Sequence, residues 1–437
     1  MTRKNLPNLL EVTESYLRTS VAPQASEIDR DPQLLLQAMK GMGELNLLAL
    51  RIPQEWGGAG ASEEIYQSCQ ELVARYSGAL AFLQVQHQSA SGMILDGKNS
   101  LLMDEFLSRM SKGKILVGVG FSQVRRAGKP LTVVNRIDGG YLLNGEVPWI
   151  TGWGLFDKFI IAAVLPDGKV ILGMLPFIDT VQNSGGKITF SAPMELAGMG
   201  STNTVTASLK NWFLPAERVV AIQGADWIHQ NDRKNVLRAT CWPLGCARAG
   251  LDIIASVAEN KPFSFIKEAW EELDRELLEC RSAIREAQQN PDVEVTEKQQ
   301  LRAWAIDLSV RCAHAAITVS SGAANYIHHA AQRVYREALV FTVTAQTTGI
   351  MEATLARLTR PAKVVRTKNI SYTKIIDLSH AIDPNIPQWP GDPPVEFATV
   401  AELETDGYYL RRFSLGEHSA THINAPNSFH RDGIGID

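Results

Sequence analysis

The stretch GGYLLNGEVPWITGWGLFDKFIIAAVLPDGKVILGMLPF (139–177), continued by MELAGMGSTNTVTASLKNWFLPAERVV (194–220), decides the fold. Its apolar runs, Tyr141 to Leu143, Phe159 to Val164 and Val170 to Leu175, are continuous or alternate with polar residues, as half-buried strands do. Asp138-Gly139-Gly140, Asn144-Gly145 and Asp167-Gly168 punctuate those runs and supply the positive φ that tight hairpins need. The stretch therefore predicts antiparallel β-structure, and long helical patterns flank it on both sides.

Upstream, Leu9 to Met110 reads as helical, with Leu35, Met39, Met42 and Leu45 at helical spacing and the Gly57-Gly58 turn between helices. Lys114 to Ser122 (KILVGVGFS) predicts the first strand of the β-region. Downstream, three seams step by threes and fours: Leu237, Cys241, Leu244, Ala247, Leu251, Ile254; then Ile266, Trp270, Leu273, Leu277, Cys280, Ile284; then Leu301, Ala305, Leu308, Cys312, Ala315, Val319, Gly322. Thr296-x-x-Gln299 reads as a capping box for the third, and a final helix is expected from Leu339 to Leu358.

Composition narrows the class. A chain of 437 residues exceeds one core's worth of sequence, and a net charge of -4 with 21% charged residues gives no basic excess that would suggest nucleic acid. The five cysteines (Cys69, Cys241, Cys246, Cys280, Cys312) are scattered through apolar pattern, which suits a reducing compartment. No run approaches the roughly 18 apolar residues of a membrane helix, and the MTRKNLPNLLEV start lacks a long apolar core. A cytoplasmic location is expected.

The Gly-Tyr-x-x-Asn-Gly element followed by Trp149-Ile150-Thr151, then Gly198-Met199-Gly200-Ser201-Thr202 and Leu214-Pro215-Ala216-Glu217, resembles the middle domain of acyl-CoA dehydrogenases. Ile52-Pro53-Gln54-Glu55-Trp56-Gly57-Gly58-Ala59-Gly60 is similar to another segment of that family at the right distance. The resemblance covers about residues 11–360. It implies an α+β multidomain chain: an N-terminal helical domain (1–113), a flavin-facing middle β-barrel-like domain (114–225) and a C-terminal helix bundle (226–360). It further implies FAD, with Trp149 and Thr151 against the isoalloxazine ring and Ser122 in the cofactor loop, an acyl-CoA or similar small-molecule substrate, and assembly as a dimer or tetramer through the bundle.

Departures from the family pattern fall at the cofactor and base positions. The loop that the family writes Thr-Glu-Pro-Gly-Ala-Gly-Ser-Asp here reads Ser122-Gln123-Val124-Arg125-Arg126-Ala127-Gly128-Lys129. Arg125 and Arg126 either grip a phosphate as charged donors or form a solvated basic loop. The arginine of the family's Arg-x-x-Phe is replaced by Asn260, with Phe263 kept, and its Gly-Gly by Ser321-Gly322. The chemistry calls for a carboxylate that removes the α proton while the flavin takes hydride. Anchored on Arg336-Glu337-Ala338, the commonest base position falls on Ala345. Anchored on Pro243-Leu244-Gly245, the alternative position falls on Asn235. Neither side chain takes a proton at neutral pH, which leaves Glu337 and Glu352 as the next carboxylates to consider. His87 reads either as a pocket group or as a packed helix histidine.

After Arg360 the composition changes. Residues 361–373 are expected to be a linker, and 374–437 resembles a partial α/β segment of the cyclase or kynurenine formamidase family of metal hydrolases. The resemblance rests on Ile376-Asp377-Leu378-Ser379-His380, Trp389-Pro390-Gly391-Asp392-Pro393 and His418-Ser419-Ala420-Thr421-His422-Ile423-Asn424-Ala425-Pro426. It implies zinc or another divalent metal at His418, His422 and Asn424. Asn424 stands where the family has a carboxylate, Ser428 where it has a catalytic histidine, and the family's fold continues past this motif. The readings are therefore a flavin oxidoreductase with replaced base positions, a metal-dependent cyclase or arylformamidase acting through the tail, or a catalytically silent fusion fragment.

Overall fold

The computed structural model describes residues 7–261, 263–359, 376–416 and 418–431, which divide into two compact units at Arg360/Pro361. The expected linker lies outside the described residues.

The first unit opens with helices α1 (Pro7–Tyr16), α2 (Ala25–Ile28), α3 (Pro32–Glu44), α4 (Glu63–Tyr76), α5 (Gly78–Gly97), α6 (Ser100–Leu102) and α7 (Ser108–Ser111). Helix α3 starts where the Asp31 carboxylate accepts from the Gln33 and Leu34 N–H groups, and Pro32 occupies the first helical position. Leu35, Met39 and Met42 are buried as their spacing predicts, whereas Leu45 caps the helix and is exposed.

Strands β1 (Val117–Gly120), β2 (Thr132–Ile137), β3 (Gly140–Ile150), β4 (Lys158–Val164), β5 (Val170–Pro176), β6 (Thr180–Val181), β7 (Lys187–Phe190), β8 (Val205–Pro215) and β9 (Val219–Gln223) form one sheet in the order β6-β7-β8-β3-β2-β4-β5-β9, with β1 paired to β4. Most pairs are antiparallel, but β1–β4 and β2–β4 are parallel. Gly139 (φ 70°) and Gly168 (φ 83°) make the β2–β3 and β4–β5 turns. Asn144-Gly145 does not make a turn; it is a bulge inside β3. A Cβ on Gly145 (φ 122°) would lie 2.0 Å from the Leu131 carbonyl oxygen, and the Asn144 side chain accepts from the Asn211 N–H across the strand pair.

Helices α8 (Trp227–Lys234), α9 (Cys241–Asn260), α10 (Ser264–Gln289), α11 (Val295–Ser320), α12 (Ala330–Val343) and α13 (Thr348–Leu358) complete the unit. Leu244, Leu251, Ile254, Leu277, Cys280, Leu308 and Cys312 meet in one apolar cluster, so the three seams face one another. Two expectations fail here. Thr296 lies inside α11, which begins one residue earlier behind Glu294 with no side-chain cap. The single last helix is two helices, broken at residues 344–347.

A network of buried charges ties the layers together. The Arg333 Nη1 donates to both carboxylate oxygens of Glu337 (2.8 and 2.9 Å), which also accepts the Gly78 N–H (2.9 Å) at the start of α5. Asp29, next to α2, accepts from Arg336 Nη2 and from the Met199 N–H, both at 2.7 Å. Glu337 is fully buried and holds structure rather than facing a substrate.

His87 on α5 is also wholly buried. Its Nδ1 accepts the Val117 N–H at 3.1 Å, so the proton sits on Nε2, which donates to the Met110 carbonyl at 3.1 Å. It is the packed helix histidine of the two readings. Burial lowers its pKa from 6.5 to about 4. A folded-state pKa depressed in this way gives stability that is full above pH 6.5 and lost as pH falls toward 4, because the unfolded chain takes the proton first. The expected slope from this group is about 1.4 kcal/mol per pH unit in that window, checked by urea unfolding from pH 7 to 4. His87→Asn should flatten it; an unchanged slope would assign the effect elsewhere.

In the second unit, β10 (Glu396–Ala401) and β11 (Leu410–Ser414) form an antiparallel pair, with the short helix α14 (Leu403–Asp406) between them. Strand β11 is exposed along its whole length.

Candidate active site

Two side chains hold the break between α12 and α13: the Thr347 hydroxyl, which accepts the Ile350 N–H at 3.4 Å, and Arg302. Arg302, on α11 and only 4% exposed, donates from Nη2 to the carbonyls of Thr344 (2.6 Å) and Ala345 (3.2 Å), and Ala345 adopts φ 49°. Left-handed backbone costs roughly 1–2 kcal/mol at a residue with a Cβ, and hydrogen bonds from a charged donor, about 1.5–3 kcal/mol each, offset it. Burial pulls the Arg302 pKa down to about 10, against the opposing pull of Asp232, and its Nε has no hydrogen-bond partner. Position 345 thus carries a methyl group on a loop whose carbonyls a buried guanidinium holds.

Asp232 belongs to α8. It takes both donors of Arg125, Nε to Oδ2 and Nη2 to Oδ1, each at 2.8 Å. The Arg125 guanidinium also lies 5.3 Å from the ring centre of Phe121, which packs edge-on against Trp227 at 5.9 Å. Arg125 is therefore neither a free phosphate grip nor a solvated residue; it fastens the loop after β1 to α8. Arg126 next to it is exposed, Ser122 is half-buried, and Gln123 is buried with its amide donating to the Gly120 and Ala162 carbonyls. Asn235 caps the C-terminus of the same α8, donates to Asn231 O (2.8 Å) and accepts from Arg238 Nη1 (2.7 Å). Asn235 and Ala345 are thus on segments flanking the Asp232–Arg125 pair and Arg302.

At the end of β3, alternation sends Ile150 into the core and leaves Trp149 40% exposed. The Thr151 hydroxyl is buried and bonded to that of Thr204 at 3.1 Å. Gly152 N–H donates to Thr202 O, joining β3 to the Gly198–Thr202 turn. Phe263 is exposed at the bundle end and stacks on Phe265 at 5.3 Å, and Glu352 is exposed on α13. Arg302 and Asp232 were not singled out from the sequence. Arg302 leaves a signal, because Arg302, Ala305, Ser309, Ala313 and Ala316 form a buried stripe at helical spacing, an odd place for a charge.

In the second unit the His418 and His422 rings lie 5.5 Å apart, and His422 Nδ1 donates to the Ala420 carbonyl. The His380 N–H donates to Thr421 Oγ1 at 3.2 Å, so the first and third quoted tail motifs meet, and Gln388, the residue before the second, bridges to Ser419. Asn424 is exposed, and no group of three His, Cys, Asp or Glu that could hold a metal occurs among the described residues. Two imidazoles and an amide do not make a zinc set, which normally needs three charged or imidazole ligands.

Residues 6–114 match the family model "Acyl-CoA dehydrogenase, N-terminal domain". The structure superposes on a glutaryl-CoA dehydrogenase of Mycobacterium smegmatis in complex with FADH2 with a TM-score of 0.70, at 15% identity over 82% of this chain and 95% of that one. The first unit has the acyl-CoA dehydrogenase fold. Among curated relatives of this chain is the probable acyl-CoA dehydrogenase YngJ of Bacillus subtilis, 24% identical over 79% of this chain and 96% of the relative. Another is a 3-(aryl)acrylate reductase of Clostridium sporogenes, 21% identical over the same shares. Residues 376–437 match the "Putative cyclase" family model. No helix among the described residues is long and apolar enough to cross a membrane.

Whether a flavin fits turns on Trp149 and the loop after β1. Trp149 offers a half-exposed ring on the sheet surface, and Arg126 is an exposed cation with no carboxylate within 4 Å among the described residues. An exposed aromatic ring and an exposed cation are thus present, groups of the kind that a flavin ring and a pyrophosphate engage, while Arg125 and the Thr151 hydroxyl are already bonded within the chain.

Proposed function

We propose that this chain is an FAD-binding flavoprotein of acyl-CoA dehydrogenase type that takes an acyl thioester and lacks the usual means of removing its α proton. The observation that carries the reading is Ala345 beside Arg302: the base position has no carboxylate, and the buried group next to it is a cation. Bound FAD would supply a hydride acceptor. Trp149 would stack on its ring, Ser122 would hydrogen-bond near the ring, and Arg126 would pair with its pyrophosphate. Phe263, exposed at the end of the bundle, would contribute to the flavin site of a neighbouring subunit. Asn235 is an amide already bonded to Arg238, so it orients that arginine and takes no proton.

Assembly as a dimer or tetramer through the bundle is supported by the exposed Leu339 and Val343 on α12 and Met351, Leu355 and Leu358 on α13, a larger apolar face than a solvated helix pair needs. The cyclase-type segment adds no hydrolase step in this reading, because its donors do not complete a metal site.

The test is the visible spectrum. The purified protein is expected to be yellow, or to gain thermal stability from added FAD, and to keep its flavin absorbance when acyl-CoA thioesters are added without oxygen. A colourless protein indifferent to FAD would sink the cofactor assignment. Rapid bleaching would show that another residue takes the proton.

A further inference from the structure

Helix α8 turns about 100° per residue, so the face two residues beyond Asp232 points away from the β1 loop. On that far side lies a cleft of about 490 Å³ between α4, the α8–α9 junction and the C-terminal end of α10, lined by Arg233 and Lys234 but by neither Arg125, Arg302 nor Ala345. Its volume falls within the range of small-molecule pockets, about 300–1,000 Å³.

The cleft has two chemical characters. One wall is apolar and buried: Leu237, Cys241, Leu244, Ile284 and Ala287. Its rim is cationic. Arg238 is neutralised by Glu63 at 2.7 Å and Arg281 by Glu71. Arg233, Lys234, Arg285 and Lys298 have no carboxylate within 4 Å among the described residues. Against these stands Glu64, the one lining carboxylate left without a cation. A chain of net charge -4 thus gathers an uncompensated positive rim around an apolar wall. Like charges crowded on one rim repel, and an anion relieves them while concentrating there by field focusing.

We propose that this cleft is a second ligand site, back-to-back with the candidate active site across α8, and that it binds an amphipathic organic monocarboxylate with an aliphatic body of roughly eight carbons. The body lies against Cys241, Leu244 and Ile284, and the carboxylate meets Arg285 and Lys298. Such a ligand touches the segment that carries Asn235 and Asp232, so its occupancy also bears on the Arg125–Asp232 fastening. The site stands independently of the flavin reading, since it uses none of those residues.

The test is calorimetric titration of the full chain with sodium octanoate, with acetate and 1-octanol as charge-only and apolar-only probes. Saturable octanoate binding is expected at least tenfold tighter than either control and weaker at high salt. It should fall at least tenfold in Arg285→Glu/Lys298→Glu and in Ser68→Trp, which fills the cleft from α4. All three positions are at the surface or half-buried, so the melting temperature reports whether each variant is folded. Octanol binding as tightly as octanoate would overturn the proposal without any variant. So would the absence of saturable binding, or octanoate affinity unchanged in folded variants, which would place the ligand elsewhere.

Discussion

Arg333→Met is expected to destabilise the protein by about 3–5 kcal/mol, the usual consequence of removing one partner from a buried ion pair. The side-chain volume is nearly kept, so the loss comes from the stranded Glu337 carboxylate. Glu337 is fully buried, and apart from Arg333 its hydrogen-bond partner is the Gly78 N–H. Even with Arg333 present, burial raises the Glu337 carboxyl above the ordinary range, the guanidinium pulling the other way. Without Arg333 the folded state will take up a proton that the unfolded chain releases near pH 4.5. A folded pKa raised in this way means the deficit is smallest at low pH and grows as pH rises through the folded-state value. Urea unfolding of both proteins at pH 5 and pH 8 checks this. A deficit under 1 kcal/mol, or one larger at pH 5, would show that Glu337 is not held by Arg333. Double replacement, Arg333→Met with Glu337→Leu, should recover much of the loss, since apolar packing often equals a buried pair.

The second expected result is chemical. Ala345→Glu should speed flavin reduction by acyl-CoA thioesters by about a hundredfold to ten-thousandfold, the range that general-base catalysis contributes. Two structural facts bear on it. Ala345 already occupies left-handed backbone, so a glutamate there adds little strain beyond what the alanine bears. Arg302 lies within reach of the loop and would hold the new carboxylate ionised, which keeps it able to accept a proton but lowers its basicity. Combining Ala345→Glu with Arg302→Lys, which keeps the charge but loses the planar fork, should shift the pH profile of flavin bleaching. Anaerobic rapid mixing reads both. If Ala345→Glu binds FAD and thioester yet bleaches no faster than the parent, the missing carboxylate is not what limits the chemistry.

Much of the architecture was legible in the sequence, because it rests on local chemistry. The seams of α9 to α11 are buried where threes-and-fours spacing put them, and Asp138-Gly139 and Asp167-Gly168 make the turns their backbone freedom predicts. Even the absence of a carboxylate at positions 235 and 345 could be read off directly. Asn144-Gly145 shows the limit: the same dipeptide chemistry serves a bulge as well as a hairpin, and only the Leu131 carbonyl packed against Gly145 decides which. The helix break at 344–347 contains no proline or glycine, and its one local signal is Thr347, whose hydroxyl caps α13 by accepting the Ile350 N–H; Arg302, more than forty positions away, captures the carbonyls that would have continued the helix.

The same holds for every charge that gives the site its character. Arg125 read equally as a phosphate grip or a solvated residue until Asp232, 107 positions on, supplied its partner. Glu337 read as a spare base until Arg333 and the Gly78 N–H enclosed it. Sequence by itself determined which elements form and which apolar faces they bury, since helical and strand periodicity act over a few residues. Tertiary structure alone decided what each charged side chain does, because a charge takes its role from the groups that replace water around it, and those come from distant parts of the chain.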